Sequence, residues 1–179
     1  DQLEDILKAK NPKFLYLVPN FQNPTGYTIS LEKRSKLADL AELYNFVIIE
    51  DDPYGQIRFE GEHLEPIRYY SDKSILCGSF SKIIAPGLRI GWIIANESII
   101  QKLLILRQAS DLHSNNLSQY IADHYLRNFN FDAHLAGIIE RYSTKCNFMY
   151  EALIKYFPSD CKIIKPQGGM FIWVELPEY

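Results

Sequence analysis

Four short polar clusters lie beside apolar runs of this 179-residue chain. They are Asn23-Pro24-Thr25-Gly26, Asp51-Asp52-Pro53-Tyr54, Ser79-Phe80-Ser81-Lys82, and the single Arg89. Between them they hold an amine, carboxylates, hydroxyls and a guanidinium, the groups that bind ligands and move protons. In an open α/β sheet, ligands sit at the carboxyl ends of the strands, so polar residues just past an apolar run are the first place to look for chemistry. Taken singly, each cluster has a structural reading. Asn-Pro-x-Gly is turn chemistry, because Pro presets φ and Gly permits positive φ. Paired acids before a proline end a strand in solvent. A lysine in a serine-containing loop is a solvated charge, and an arginine is a salt-bridge partner.

The combination is more specific than its parts. Asn-Pro-x-Gly, then Asp-x-x-Tyr, then Ser-x-Ser-Lys with an arginine seven residues on, then the distal Gly168-Gly169-Met170-Phe171, resembles the fold-type I aminotransferases of the aspartate aminotransferase superfamily, which use pyridoxal 5'-phosphate (PLP). Asn20 to Gly26 and Gly78 to Trp92 look like the branch that acts on 2-aminoadipate and aromatic amino acids. The resemblance spans nearly the whole chain.

The resemblance implies a role for each residue. Lys82 matches the Schiff-base lysine, whose amine also moves the substrate α-proton. Asp51 matches the partner of the pyridine nitrogen, a carboxylate that keeps the nitrogen protonated and the ring electron-withdrawing. Asp52 is the adjacent alternative. The Asp-x-x-Tyr spacing favours Asp51, and neighbouring strand residues face opposite ways, so only one of the two can meet the ring. Asn23 and Tyr54 match the donors to the ring hydroxyl. Ser79, Ser81 and Arg89 match the phosphate site, where hydroxyls and a permanent guanidinium suit an anion. The Pro86-Gly87-Leu88 turn is expected to fold Arg89 back beside Lys82.

The elements that must position these residues are readable from periodicity. Residues 1–10 read as the end of a helix, and Phe14–Val18 as a strand. Ser30 caps a helix running to about Tyr44, with Leu31, Leu37, Leu40, Ala41 and Leu43 mainly on one face. Val47-Ile48-Ile49 is a short buried strand. Strand, helix and strand in this order form a βαβ unit, so the class is α/β with a mostly parallel sheet. Ser74–Ser79 and Ile90–Ala95 extend the sheet, and helices follow over Glu97–Ser110 and near Asn116–Arg127. Residues 131–157 read as a rod of about 40 Å. Cys161–Lys165 and Met170–Leu176 are two more strands. The expected organisation is part of a large PLP-binding domain over 1–130, a connecting helix over 131–157, and the start of a small α+β domain over 158–179.

Composition excludes several function classes. A formal net charge of -3 without a basic stretch gives no attraction to nucleic acid through this segment. No apolar run reaches the ~20 residues that span a bilayer, and the first residues lack a signal peptide's basic start, so the expected location is cytoplasmic. Three cysteines without C-x-x-C spacing read as reduced thiols, and four dispersed histidines give no metal site.

Within the resembled family, a phosphate-gripping loop and a ring-stacking aromatic precede the matched segment, and an arginine for the substrate carboxylate follows it. Arg127 and Arg141 sit in the wrong sequence context for that arginine. The chain is therefore expected to hold a partial cofactor site with little transaminase activity alone. The family implies a homodimer and amino acid and 2-oxo acid substrates. Two other readings stand beside transamination. One is the sensor half of a winged-helix (GntR/MocR-type) transcription regulator; the other is a further PLP reaction such as β-elimination or decarboxylation.

Overall fold

The computed structural model of the chain describes residues 2–178. Helix α1 (Gln2–Lys10) leads into strand β1 (Phe14–Leu17), helix α2 (Leu31–Tyr44) and strand β2 (Val47–Asp51). Strands β3 (Ser74–Ser79) and β4 (Gly91–Ile94) follow. Three helices come next, α3 (Glu97–Ser110), α4 (Asn116–Asn128) and α5 (Phe131–Tyr156), and the hairpin of β5 (Lys162–Ile164) and β6 (Trp173–Glu175) completes the order.

Local signals set the helix ends. Ser30 Oγ accepts from Lys33 N at 3.4 Å to open α2, and Asn45 closes it in the left-handed region at φ 53. Such an N-cap contributes about 1 kcal/mol. Asn96, Asn115 and Asn130 open α3, α4 and α5 in the same way, each accepting a backbone N–H of the first turn. Helix α5 has 26 residues, a rod of about 39 Å at 1.5 Å per residue.

The four strands lie in the order β1-β2-β3-β4. β1, β2 and β3 are parallel, and β4 runs antiparallel to β3. Residues 80–90 are too few for the crossover of a dozen or more residues that a parallel pair requires. The reversed direction has a consequence for the site. It brings the start of β4, with Arg89, to the same edge of the sheet as the ends of β1, β2 and β3.

The core lies on one face of this sheet. Leu7 of α1 and Ala38, Leu40 and Ala41 of α2 pack with Phe46, Ile48 and Ile67, and Leu15 and Leu17 complete the layer. The buried stripe of α2 differs from the expected one. Leu31 and Leu43 are exposed, and Arg34 is fully buried at 0%. Arg34 tolerates burial because its guanidinium reaches carbonyls of the loops on either side, described below.

The opposite sheet face is open. Phe14 and Tyr16 point from it at 60% and 56% exposure, and the strand alternation puts Ile49, Asp51, Cys77 and Ser79 on that same face. Helices α3 and α5 bury no side chain completely. The segment between β5 and β6 docks on the loop after β2: Gly169 N donates to Ile57 O at 2.7 Å, and Phe59 N donates to Gln167 O at 2.8 Å. Among the described residues no helix is long and apolar enough to cross a membrane. The three cysteines are free.

Candidate active site

The loop after β1 is organised by a side chain that sequence patterning does not single out. Gln22 Oε1 accepts from Thr25 N at 3.1 Å and Thr25 Oγ1 at 2.6 Å, while Gln22 O accepts from Gly26 N at 2.7 Å. Gly26 takes φ +67, a conformation strained for any side chain. These bonds present Asn23 at the exposed tip, before a cis peptide bond to Pro24.

At the end of β2, alternation sends the two aspartates to opposite faces. Asp52 turns into the interior, where Oδ2 accepts from Asn20 Nδ2 at 2.8 Å and Oδ1 from Gly55 N at 2.9 Å. Burial pushes its pKa up, against the lowering effect of those two donors and Arg34. Asp51 faces the open side, where Oδ2 accepts from the Tyr16 hydroxyl at 2.7 Å. Tyr54 lies buried three residues on, its ring edge-on to Phe171 at 5.6 Å between centroids.

Behind Asp52 sits a buried guanidinium. Arg34 donates through Nε to Ile29 O at 2.9 Å, through Nη1 to Glu65 O at 3.0 Å, and through Nη2 to Pro19 O at 3.2 Å and Asn20 Oδ1 at 2.6 Å. It thereby joins the loop after β1 to the segment before β3. Glu50, also fully buried, accepts from Ile67 N at 2.9 Å and Arg68 N at 3.2 Å. Burial is the largest cause raising its pKa, and the two N–H donors and Arg34 oppose it. These groups hold the strand ends in place from the side away from the open face.

Lys82 lies in a single tight turn after β3. Ile84 N and Ala85 N both donate to Phe80 O, at 2.8 and 3.2 Å, and Ser79 Oγ accepts from Ser81 N at 3.1 Å. Ile83 is buried beneath the turn, and its carbonyl is 3.0 Å from His134 Nε2 on α5. The turn is therefore held from both sides while Lys82 itself is half-buried. Phe80 N donates to Ile90 O at 3.1 Å, which continues the β3–β4 ladder and brings Arg89 across from the Ser79-to-Lys82 loop. The Arg89 backbone folds back as expected, at φ 55 after a 3-10 turn over Pro86–Leu88. Its guanidinium, however, is exposed and donates to Pro86 O at 3.3 Å, and among the described residues no hydrogen bond joins it to either serine.

The distal Gly168-Gly169 pair completes the cluster. A Cβ at Gly168 would run into the Phe21 ring and Ile57 O, and a Cβ at Gly26 would meet Phe171 O at 3.1 Å. This close approach seats residues 166–171 against the loops that carry Asn23 and Tyr54. Met170 reaches a cavity of about 250 Å³ that it shares with Ser81, Lys82, Ile138 and Tyr142. Four strand-end clusters and one distal loop thus converge on one edge of the sheet. Among the described residues no group of three or more His, Cys, Asp or Glu side chains could hold a metal ion.

Patterning missed Tyr16, Asn20, Gln22 and Arg34. Arg34 had a signal, because it lies four and seven residues before Ala38 and Ala41 on the buried stripe of α2.

Comparison with known proteins adds the lineage. The profile of the family described as aminotransferase class I and II matches residues 1–179. The chain belongs to that family. It is 43% identical over 181 residues to aromatic-amino-acid aminotransferase 1 of Thermococcus litoralis, covering 99% of this chain and 43% of that protein. The solved kynurenine aminotransferase of Pyrococcus horikoshii, in complex with PMP, superposes with a TM-score of 0.95 at 40% identity, over 99% of this chain and 46% of that one. The HTH-type regulator YdcR of Escherichia coli is 34% identical over 178 residues, 98% of this chain and 38% of that protein. The chain thus spans under half the length of each of these relatives. Its fold is fold type I.

Proposed function

We propose that this chain provides the cofactor-holding part of a PLP-dependent aminotransferase that transfers an amino group from an amino acid to a 2-oxo acid. The observation that carries this reading is the convergence of the Asp51 carboxylate, with one oxygen bonded to Tyr16, a lysine in a hydrogen-bonded turn and the Ser79 and Ser81 hydroxyls at one sheet edge. The donor set fits PLP group by group. Asp51 presents a carboxylate on the open face, suited to a protonated ring nitrogen. Asn23 and Tyr54 would donate to a ring hydroxyl, and Ser79, Ser81 and Arg89 would supply donors for a phosphate. Bound PLP supplies an electron-withdrawing ring that accepts the electron pair of a broken Cα–H bond. Lys82 is the residue that would tether the aldehyde, and its amine, when free, holds and moves the α-proton.

The aromatic and kynurenine aminotransferases among the relatives support an aromatic amino donor. Within the same reading the protein works in the cytoplasm as a homodimer, and residues 1–130, 131–157 and 158–179 form the part of the large domain, the connecting helix and the start of the small domain. The isolated 179-residue chain turns over little, because the partners that stack the ring and anchor the substrate carboxylate are not among its assigned residues.

A transamination assay of the complete protein tests the reading, with an aromatic amino acid as donor and a 2-oxo acid as acceptor. Turnover that disappears in Lys82→Ala is the expected result. Turnover that survives this substitution contradicts it. The similarity to YdcR favours a second reading, a sensor domain that binds PLP and governs DNA binding. PLP-dependent DNA binding without turnover would select it.

A further inference from the structure

We infer that Tyr16 is a positioning residue for the cofactor: its hydroxyl pins one oxygen of Asp51 and leaves the other aimed at the ligand side of the sheet. The inference rests on the PLP site proposed above and adds a residue to it.

Tyr16 OH donates to Asp51 Oδ2 at 2.7 Å across neighbouring strands. The parallel register sets Tyr16 beside Ile49, so Asp51, two residues further on, lies diagonally ahead on the same face, within reach of a long aromatic side chain. Within this chain the ring is 56% exposed, and its hydroxyl has a defined partner in Asp51. The two adjacent carboxylates are fixed by separate donors. Asn20 and Gly55 hold Asp52 on the interior face, and Tyr16 holds Asp51 on the open one.

Among the described residues nothing donates to Asp51 Oδ1. With Oδ2 fixed, rotation about Cβ–Cγ is restricted, and a ring N–H arriving at Oδ1 meets an acceptor already oriented for it. The contact is a charge-assisted hydrogen bond, stronger than a neutral pair. It also secures its own donor. The Tyr16 pKa is pushed up to about 12, with the bond to Asp51 as first cause and burial second, so the phenol keeps its proton throughout the neutral range.

The test compares PLP with its 1-deaza analogue, in which C–H replaces the ring nitrogen and Asp51 has no N–H to accept. Dissociation constants are measured for both with the complete protein and with Tyr16→Phe, which removes only the hydroxyl. The expected result is that Tyr16→Phe weakens PLP binding about tenfold and analogue binding less than about twofold. Equal losses for both ligands would mean a general structural role and overturn the inference, as would an unchanged affinity for PLP. The underlying site is judged separately, by borohydride reduction of the PLP-loaded wild type. A label absent from Lys82 removes the site and the inference together. A label on Lys82 with unchanged PLP affinity in Tyr16→Phe removes the inference alone.

Discussion

Asn20 Nδ2 donates to Asp52 Oδ2 at 2.8 Å, which commits the second carboxylate of the Asp-Asp pair to the interior and leaves the first on the open face. The two aspartates should therefore respond differently to the same change. In Asp52→Asn an amide must replace a carboxylate that accepts two donors, so folding stability should fall by about 1–3 kcal/mol. Asp51→Asn should keep stability within about 0.5 kcal/mol, because the site is peripheral to the core, and should weaken PLP binding about tenfold or more. Thermal melts and PLP titration of the two variants check this. The reverse pattern would assign the ring nitrogen to Asp52.

Glu50 gives a prediction in pH. Its pKa is raised above the ordinary 4.5 by burial. A carboxyl whose folded value is raised contributes stability that is fully present below its unfolded pKa and is lost as pH rises through the folded value. The melting-temperature advantage of wild type over Glu50→Gln should accordingly be largest below the ordinary value of 4.5 and shrink as pH rises above it. An advantage that grows with pH would contradict the assignment.

Two glycines should respond with opposite sign to alanine. At Gly168 an added methyl collides with Phe21 and with the backbone of Ile57, an overpacking that costs about 1–3 kcal/mol. Gly137 lies inside α5 with nothing within 4 Å of an added Cβ, so Gly137→Ala should add about 0.5–1 kcal/mol. Denaturant unfolding measures both. A stabilised Gly168→Ala would mean that residues 166–171 do not dock as described.

The legible parts of this molecule are those whose causes are local. Ser30, Asn96 and the period of residues 131–157 mark helices because capping and amphipathicity act within a few residues. The types and order of Asn23, Asp51, Tyr54, Ser79, Ser81, Lys82 and Arg89 were enough to suggest a family. Two features lie beyond local patterning, each for a physical reason. Tyr16 contacts a partner 35 residues away, through a strand register that composition does not encode. Arg34 sits on an apolar stripe, and its acceptors come from segments on both sides of α2, so burial depends on contacts made only in the folded chain. The direction of β4, by contrast, is set locally, because the 80–90 connection is too short for a parallel crossover. Arg89 was expected beside Lys82; its backbone meets that expectation, and its guanidinium lies against Pro86 O instead.

Lys82 is the residue on which the functional account turns, because the rigid turn and the open edge have a chemical purpose only if its amine carries the cofactor. Borohydride reduction of the PLP-loaded complete protein, followed by peptide mass mapping, tests this directly. The account predicts a single pyridoxyl label on Lys82; a label on any other lysine, or none, would contradict it.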